Sequence, residues 1–222
     1  LTSNGERARL IRAAGVDRVV VLPFTAELAQ QSPEAFLGRV AGAGVRELWV
    51  GEDFALGHKR AGDVETLRRI GGGIGVAVNA IARVDFDGMA VSSSAVRERI
   101  LVGDVREANR LLGYPFAMEG QVVYGDQVGR TIGYPTANVP LPVDLVKPAD
   151  GSYASWAWIE GEAEPRAAMT YIGTRPVLNT GARVVETHIF DFDGDLYGKR
   201  LRSAFIDFLR PDQHFDGLEP LL

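Results

Sequence analysis

The stretch "ANRLLGYPFAMEGQVVYG", residues 108–125, marks the point where the pattern of apolar residues changes. Before it, apolar residues recur with the 3.6-residue period of a helix, and after it they follow the two-residue period of a strand. Gly113, Tyr114 and Pro115 stand at the change, and glycine and proline both interrupt regular structure. The sequence therefore predicts two modules, residues 1–113 and 114–222.

Residues after this boundary form six strand-like runs with no helical pattern between them. The runs are "MEGQVVYG" (118–125), "TIGYPTANV" (131–139), "SYASWAWIE" (152–160), "RAAMTYIG" (166–173), "RVVETHIFDF" (183–192) and "LRSAFIDFL" (201–209). Turn dipeptides such as Asp150-Gly151 and Asp193-Gly194 separate them. This arrangement predicts a small six-stranded antiparallel β-barrel.

Residues before the boundary alternate between helical and strand-like segments. The helical segments are residues 3–15, 32–44 and 62–73, the strand-like ones are 16–24, 45–54 and 74–84, and a helix pair covers 91–113. Repeated β–α units predict a doubly wound α/β domain with crossover helices. Such a domain normally opens on a strand whose following loop binds phosphate. Because this run begins on a helix, we expect the domain to lack its first strand.

Composition limits the class of protein. The chain of 222 residues has a net charge of −5 and an isoelectric point near 5.3, which argues against general binding of nucleic acid. It has no cysteine, which excludes disulfides and thiolate chemistry and fits a reducing compartment. No apolar run approaches the roughly 20 residues that a bilayer requires, and no signal peptide opens the sequence. We therefore expect a cytoplasmic protein without nucleic-acid or membrane partners.

The segment "GRTIGYPTANVP", residues 129–140, carries a hydroxyl and an amide two residues apart. In an extended chain Thr136 and Asn138 point to the same side, and Mg²⁺ prefers a few such oxygens together with phosphate and water. Groups that suit a polyphosphate lie just upstream, three glycines and a cation: Gly125, Gly129, Gly133 and Arg130. The plainer interpretation is a hairpin whose turn needs glycine and whose threonine is an ordinary strand residue.

Two further groups of residues suggest chemistry. In "VVETHIFDF" the alternation puts Glu186 and His188 on one strand face between apolar residues, which favours a desolvated general base. The alternative is that both lie on the wet face of a barrel strand. In "VSSSAVR", serines, backbone N–H groups and Arg97 at one helix start favour a phosphate site. Serines that merely cap a helix are the alternative there.

These stretches together resemble a known family. "VVYGDQVGRTIGYPTANV", "IGTRPVLNTG", "VVETHIFDFDGDLYGKRL" and "FLRPDQHF" are similar to the riboflavin kinase module of the prokaryotic bifunctional riboflavin kinase/FAD synthetase family. "VGEDFALG", "RAGDVETL" and "VSSSAVRERILVGDVREANRLLG" resemble the FMN adenylyltransferase module of the same family. The resemblance covers nearly the whole chain in collinear order. It implies a nucleotidylyltransferase-like (Rossmann-like) front domain and a riboflavin-kinase-type β-barrel.

For the rear module, the resemblance implies ATP-dependent phosphorylation of the terminal ribityl hydroxyl of riboflavin, which produces FMN. Thr136 and Asn138 would hold Mg²⁺ and the nucleotide phosphates, and Glu186 would take the proton of the attacking hydroxyl. Mg²⁺ would arrive with ATP, so no tightly bound metal is expected. The residues expected to contact the flavin are Arg210, Asn179 and Thr174.

For the front module, the resemblance implies transfer of AMP from ATP to FMN, which produces FAD and pyrophosphate. The residues expected to bind ATP are Ser92, Ser93, Arg97 and Asp53. The family's His-x-Gly-His signature precedes the region where this sequence starts, so we expect an incomplete front module. Two alternatives remain: a riboflavin kinase with an inactive front half, and a module that binds flavin without chemistry.

Overall fold

A computed structural model describes residues 1–125, 129, 133–174 and 183–212 of the chain. The chain divides into two compact units, one made of residues 18–90 and the other of residues 1–17 together with 91–222. The module boundary after residue 113 was predicted from the change in sequence pattern, whereas these two units are defined by compactness. The boundary therefore stays a prediction.

The helices and strands follow one another along the chain in the order expected for an α/β half and a β half. In chain order they are α1 (Asn4–Ala13), α2 (Ala26–Ala29), α3 (Pro33–Gly42), β1 (Glu47–Gly51), β2 (Ala55–Leu56), β3 (Gly62–Asp63), α4 (Val64–Ile74), β4 (Ala77–Ile81), β5 (Asp85–Phe86), β6 (Met89–Ala90), α5 (Ser93–Leu101), α6 (Val105–Leu112), β7 (Ala117–Gln121), β8 (Ala137–Val139), β9 (Gly151–Ile159), β10 (Arg166–Thr174), β11 (Arg183–Ile189) and β12 (Arg200–Pro211).

The unit of residues 18–90 contains the parallel pairing that its sequence predicts. Strands β1 and β4 pair in parallel, and Leu37 and Leu67, from helices α3 and α4, are buried in the core beneath them. Both helices begin at local caps, because Ser32 Oγ accepts a hydrogen bond from Ala35 N at 3.2 Å and Asp63 Oδ1 accepts one from Thr66 N at 2.9 Å. The prediction of an α/β front half is confirmed.

The prediction of a strand over residues 16–24 is wrong. This segment carries no regular structure, and Val20 and Phe24 are 77% and 85% exposed instead of buried on both faces. A strand requires a neighbour for its backbone groups, and in the part of the chain that the structure describes β1 pairs with β4 alone. Apolar content cannot replace that partner. The short helix α2 and the β2–β3 and β5–β6 hairpins were not predicted.

The other unit contains a six-stranded antiparallel sheet in the order β7-β12-β9-β10-β11-β8. Its first and last strands meet beyond the end of β7, where Val123 N donates a hydrogen bond to Asn138 O at 2.9 Å. That bridge closes the sheet into a barrel. All six strand-like runs contain strands, and the barrel prediction is confirmed.

The barrel interior combines aromatic packing with a chain of hydroxyls. Tyr153 and Phe205 are fully buried, and their rings meet edge to face with centroids 5.2 Å apart. Hydrogen bonds of 2.8, 3.1 and 2.9 Å link four buried hydroxyls from four strands in the sequence Ser155–Thr170–Thr187–Ser203. Each hydroxyl can donate and accept, so the chain satisfies its buried polar atoms.

Helices α5 and α6 form the predicted pair and bury Ile100, Val105 and Ala108 against the barrel. Gly103 follows α5 with a φ of +84°, a left-handed conformation that suits glycine at the end of a helix. Asp104 caps α6 by accepting a hydrogen bond from Glu107 N at 3.2 Å. None of the helices in the described residues is long and apolar enough to cross a membrane.

Helix α1 is attached to the barrel by a buried ion pair. Ser3 caps the helix by accepting from Glu6 N at 3.0 Å. Ser3 and Glu6 have the spacing of a capping box, but the Glu6 carboxylate does not complete one. It accepts instead from Arg9 at 2.8 Å and from Arg202 of β12 at 2.9 Å. The guanidinium of Arg202 also lies over the Trp158 ring, 4.6 Å from its centroid. A distant cation therefore outcompetes the local backbone for this carboxylate.

Candidate active site

Two neighbouring strands bring Thr136, Asn138 and Glu186 into one corner of the barrel. Asn138 of β8 lies directly opposite Glu186 of β11. Thr136, two residues earlier, donates a hydrogen bond from Oγ1 to Glu186 Oε2 at 3.2 Å. All three side chains are half-buried, while Ala137 and Thr187, which alternate with them, are buried. Strand pairing thus joins the hydroxyl and the amide to a carboxylate that lies 50 residues after Thr136 in the sequence.

The imidazole of His188 contacts the segment that precedes Thr136. Its Nδ1 lies 2.9 Å from Pro135 O, and because a carbonyl oxygen only accepts, Nδ1 carries the hydrogen. The ring also meets Tyr134 at 5.6 Å and Phe190 at 5.4 Å between centroids. His188 and Glu186, which the sequence places on one strand face, therefore make different contacts. The imidazole of His188 holds the backbone at Pro135, and the carboxylate of Glu186 accepts from Thr136.

Two of the predicted phosphate-loop glycines are required by close packing around the same corner. A Cβ on Gly125 would lie 2.6 Å from the Asn138 side chain, and one on Gly129 would lie 2.3 Å from Tyr134 O. Gly133 adopts a left-handed φ of +83° with open space around it. Arg130 lies outside the described residues. Contact of these glycines with a polyphosphate stays a prediction.

A cavity of about 680 Å³ opens beside the corner. Its polar lining consists of Thr136, Asn138, Thr187, Asp193 and Asp195, and its aromatic lining includes Tyr124 and Tyr197, whose rings stack with centroids 3.9 Å apart. Hydroxyl, amide and carboxylate oxygens are ligands of Mg²⁺, and aromatic faces suit a planar ring. Sequence reasoning missed the two tyrosines and the two aspartates, although the acidic "DFDGD" turn was a visible signal.

Two of the three residues expected to contact the flavin, Thr174 and Arg210, lie at or near strand ends. Thr174 is the last residue of β10, and Arg210 lies near the end of β12, opposite Ser152 of β9. Asn179 lies outside the described residues.

The residues expected to bind ATP for adenylyl transfer lie on both compact units. Ser92 is the N-cap of α5 and accepts from Ala95 N at 3.2 Å, and both Ser93 and Arg97 are exposed. Arg97 is the fifth residue of the helix and therefore lies in its second turn, which corrects the prediction that it lies at the helix start. Asp53, on the other unit, is exposed, and its backbone oxygen accepts from Arg60 at 3.1 Å.

The fold defines a two-part protein, an α/β unit followed by a closed antiparallel barrel that carries Thr136, Asn138 and Glu186 at one corner. Comparison with known families identifies both parts. The family model "Riboflavin kinase" matches residues 112–222, and the model "FAD synthetase" matches residues 1–95.

Relatives of known name agree with both models. The bifunctional riboflavin kinase/FMN adenylyltransferase of Pseudomonas fluorescens is 41% identical over 93% of this chain and 67% of its own length. The enzyme of the same name from Escherichia coli K12 is 36% identical over 100% of this chain and 71% of its own length. The chain belongs to this bifunctional riboflavin kinase/FMN adenylyltransferase family.

One solved structure reproduces the fold. A crystal structure from Streptococcus pneumoniae, called a macrolide-efflux protein, superposes with a TM-score of 0.83 at 30% identity. The superposition covers 99% of this chain and 70% of the Streptococcus pneumoniae chain.

Proposed function

We propose that the barrel module transfers the γ-phosphoryl group of ATP to riboflavin, which produces FMN, and that the front module transfers AMP from ATP to FMN, which produces FAD. The observation that carries the kinase proposal is the hydrogen bond of 3.2 Å from Thr136 to Glu186, with Asn138 opposite the same carboxylate. A carboxylate oriented in this way can take the proton of a substrate hydroxyl, a step that binding of flavin alone does not require.

In the kinase step, Glu186 accepts the proton of the terminal ribityl hydroxyl as that oxygen bonds to the γ-phosphorus. The bond from the γ-phosphorus to the bridging oxygen breaks, and ADP leaves with that oxygen. Phosphoryl transfer requires mainly alignment and charge neutralisation, with modest help from a base. Thr136 keeps the carboxylate of Glu186 oriented for its part through the bond to Oε2.

The residues at the corner fit a magnesium ion that arrives with ATP. Because Thr136 donates its hydrogen to Glu186, the lone pairs of Thr136 Oγ1 point away from that bond. We assign Thr136 and Asn138 to Mg²⁺, which when bound neutralises phosphate charge. In the described residues no group of three or more acidic, histidine or cysteine side chains gathers into a cage, and Mg²⁺ is usually held by few protein oxygens plus phosphates.

The remaining assignments concern substrates and location. Gly125, Gly129, Gly133 and Arg130 would bind the ATP of the kinase step, and Thr174, Asn179 and Arg210 the flavin. The substrates are then riboflavin, FMN and ATP. We place the protein in the cytoplasm, because a chain without cysteine suits a reducing compartment.

The kinase proposal predicts that FMN forms from riboflavin only when ATP and Mg²⁺ are both present. Chromatographic separation of the flavins measures it, with excess EDTA added to remove the metal and excess Mg²⁺ added back as the control. Full turnover in EDTA would contradict the assignment of Thr136 and Asn138 to Mg²⁺. Absence of FMN under every condition would remove the kinase itself.

The adenylyltransferase proposal rests on the start of α5, where exposed N–H groups and Arg97 can meet phosphate oxygens. In a form of the protein that makes both FMN and FAD, Arg97→Ala should lower FAD formation by about 10- to 100-fold, because a hydrogen bond to a charged group is worth roughly 1.5–3 kcal/mol. FMN formation should stay within about twofold of the wild type. Arg99→Ala, in the last turn of the same helix, is the matched control. Equal losses of both activities would show that Arg97 does not act in adenylyl transfer alone.

A further inference from the structure

In the strand order of the sheet, Tyr171 lies between the proposed base, Glu186, and one of the residues assigned to the flavin, Arg210. In the sheet register, Glu186 of β11 is opposite Tyr171 of β10, which is opposite Ser152 of β9, which is opposite Arg210 of β12. Residues directly opposite in paired antiparallel strands share a face of the sheet. Tyr171 therefore adjoins the proposed base on one side, and Arg210 lies one strand further along on the other.

The hydroxyl of Tyr171 joins the ends of two strands. It donates to Asp212 Oδ2 at 3.0 Å and lies 3.4 Å from Thr174 O. Thr174 is the last residue of β10, and Asp212 directly follows the last residue of β12. Both strand ends carry proposed flavin contacts, Thr174 itself and Arg210, so one phenol links the two sides of the proposed flavin site.

The position of this ring is built into the backbone. A Cβ on Gly173 would lie 2.3 Å from the Tyr171 hydroxyl oxygen and 2.6 Å from Cζ, so the ring lies against a glycine that leaves it room. Burial, and after it the hydrogen bond to Asp212, raises the pKa of Tyr171 well above its ordinary value of 10.0. The hydroxyl therefore keeps its proton and remains a donor at neutral pH.

We propose that Tyr171 is a positioning residue for the flavin substrate: its hydroxyl, through Asp212, holds together the ends of β10 and β12, which carry the proposed flavin contacts Thr174 and Arg210. This inference rests on the proposed kinase function. Loss of the Tyr171 hydroxyl should weaken the binding of riboflavin. It should leave the binding of ATP, assigned to Thr136 and Asn138, unaffected.

Tyr171→Phe tests the proposal, because it removes the hydroxyl and keeps the ring. The KM for riboflavin, and the Kd measured by flavin fluorescence without ATP, should rise about tenfold, the effect of losing one hydrogen bond to a charged group. The KM for ATP and kcat should stay within about twofold. Asp212→Ala should have the same effect, Asp212→Asn should restore most of the affinity, and Tyr171→Phe combined with Asp212→Ala should be no worse than either alone.

Tyr153→Phe is the matched control. It also removes a tyrosine hydroxyl from the same barrel, one that donates to Ala149 O at 2.6 Å, but Tyr153 is fully buried inside. It should lower thermal stability without a selective change in riboflavin affinity. If it raises the riboflavin Kd as Tyr171→Phe does, the effect reports barrel stability and the proposal fails.

The remaining outcomes separate the two proposals. A wild type that binds and phosphorylates riboflavin, with Tyr171→Phe equal to it in riboflavin Kd, overturns the role of Tyr171 alone. An equal rise in the KM for ATP and for riboflavin does the same. A wild type that neither binds nor phosphorylates riboflavin overturns the kinase function and this inference together.

Discussion

Glu186→Gln should lower kcat for FMN formation by about 10²- to 10⁴-fold, the usual contribution of a general base. The amide nearly matches the carboxylate in shape and keeps an oxygen that can accept the hydrogen bond from Thr136. It cannot accept a proton at neutral pH. The loss should therefore appear in kcat, with the riboflavin Kd unchanged, because the substitution removes an interaction of the transition state and not of the bound substrate.

Glu162→Gln is the matched control for this experiment. Glu162 follows β9 and pairs with Arg166 at the start of β10, so the same chemical change is made on the same barrel in a surface ion pair. Its kcat should equal that of the wild type. A Glu186→Gln protein with wild-type kcat would instead favour a module that binds flavin without catalysing its phosphorylation.

Glu6→Ala should lower the free energy of unfolding by about 3 kcal/mol or more, because it leaves a buried arginine without its partner. The side chains of Glu6 and Arg202 are only 5% and 14% exposed, and their atoms approach to 2.9 Å. Glu162→Ala removes a pair whose side chains are 31% and 40% exposed, and it should cost about 1 kcal/mol or less. Denaturant unfolding of the three proteins at neutral pH measures both changes. Equal costs would show that the ion pair of α1 with the barrel adds nothing beyond a surface contact.

The same carboxylate predicts a dependence on pH. Burial alone would raise the pKa of Glu6, but hydrogen bonds from Arg9 and Arg202 outweigh it and hold the pKa below its ordinary value of 4.5. A group whose pKa is lower in the folded state contributes stability above its unfolded pKa and loses it as the pH falls through the folded value. The difference in unfolding free energy between wild type and Glu6→Ala should therefore shrink as the pH falls below 4.5. A difference in unfolding free energy that stays constant with pH would show that the negative charge of Glu6 does not contribute to stability.

Elements that depend on local sequence were predictable. The barrel strands follow from the alternation of apolar residues, and helix starts at Ser32, Asp63 and Ser92 follow from short side chains that reach a backbone N–H three residues ahead. The spacing of two in an extended segment also predicted that Thr136 and Asn138 lie on the same side, as they do beside Glu186.

Elements that depend on a distant partner were not predictable. Glu6 has the spacing of a capping box, but it binds Arg202, which is 196 residues away. Residues 16–24 have the apolar content of a buried strand but no paired neighbour among the described residues. Tyr171 gave no signal, because its relation to Glu186 exists only in the register between β10 and β11.

Participation of Glu186 in the chemical step is tested most directly by a single turnover with γ-labelled ATP, Mg²⁺ and saturating riboflavin. In the wild type, one labelled phosphate should enter FMN for each ADP formed. In Glu186→Gln the same transfer should proceed about 10²- to 10⁴-fold more slowly from an equally occupied flavin complex. Transfer at the wild-type rate, or a loss explained entirely by weaker riboflavin binding, would contradict the assignment of Glu186 as the base.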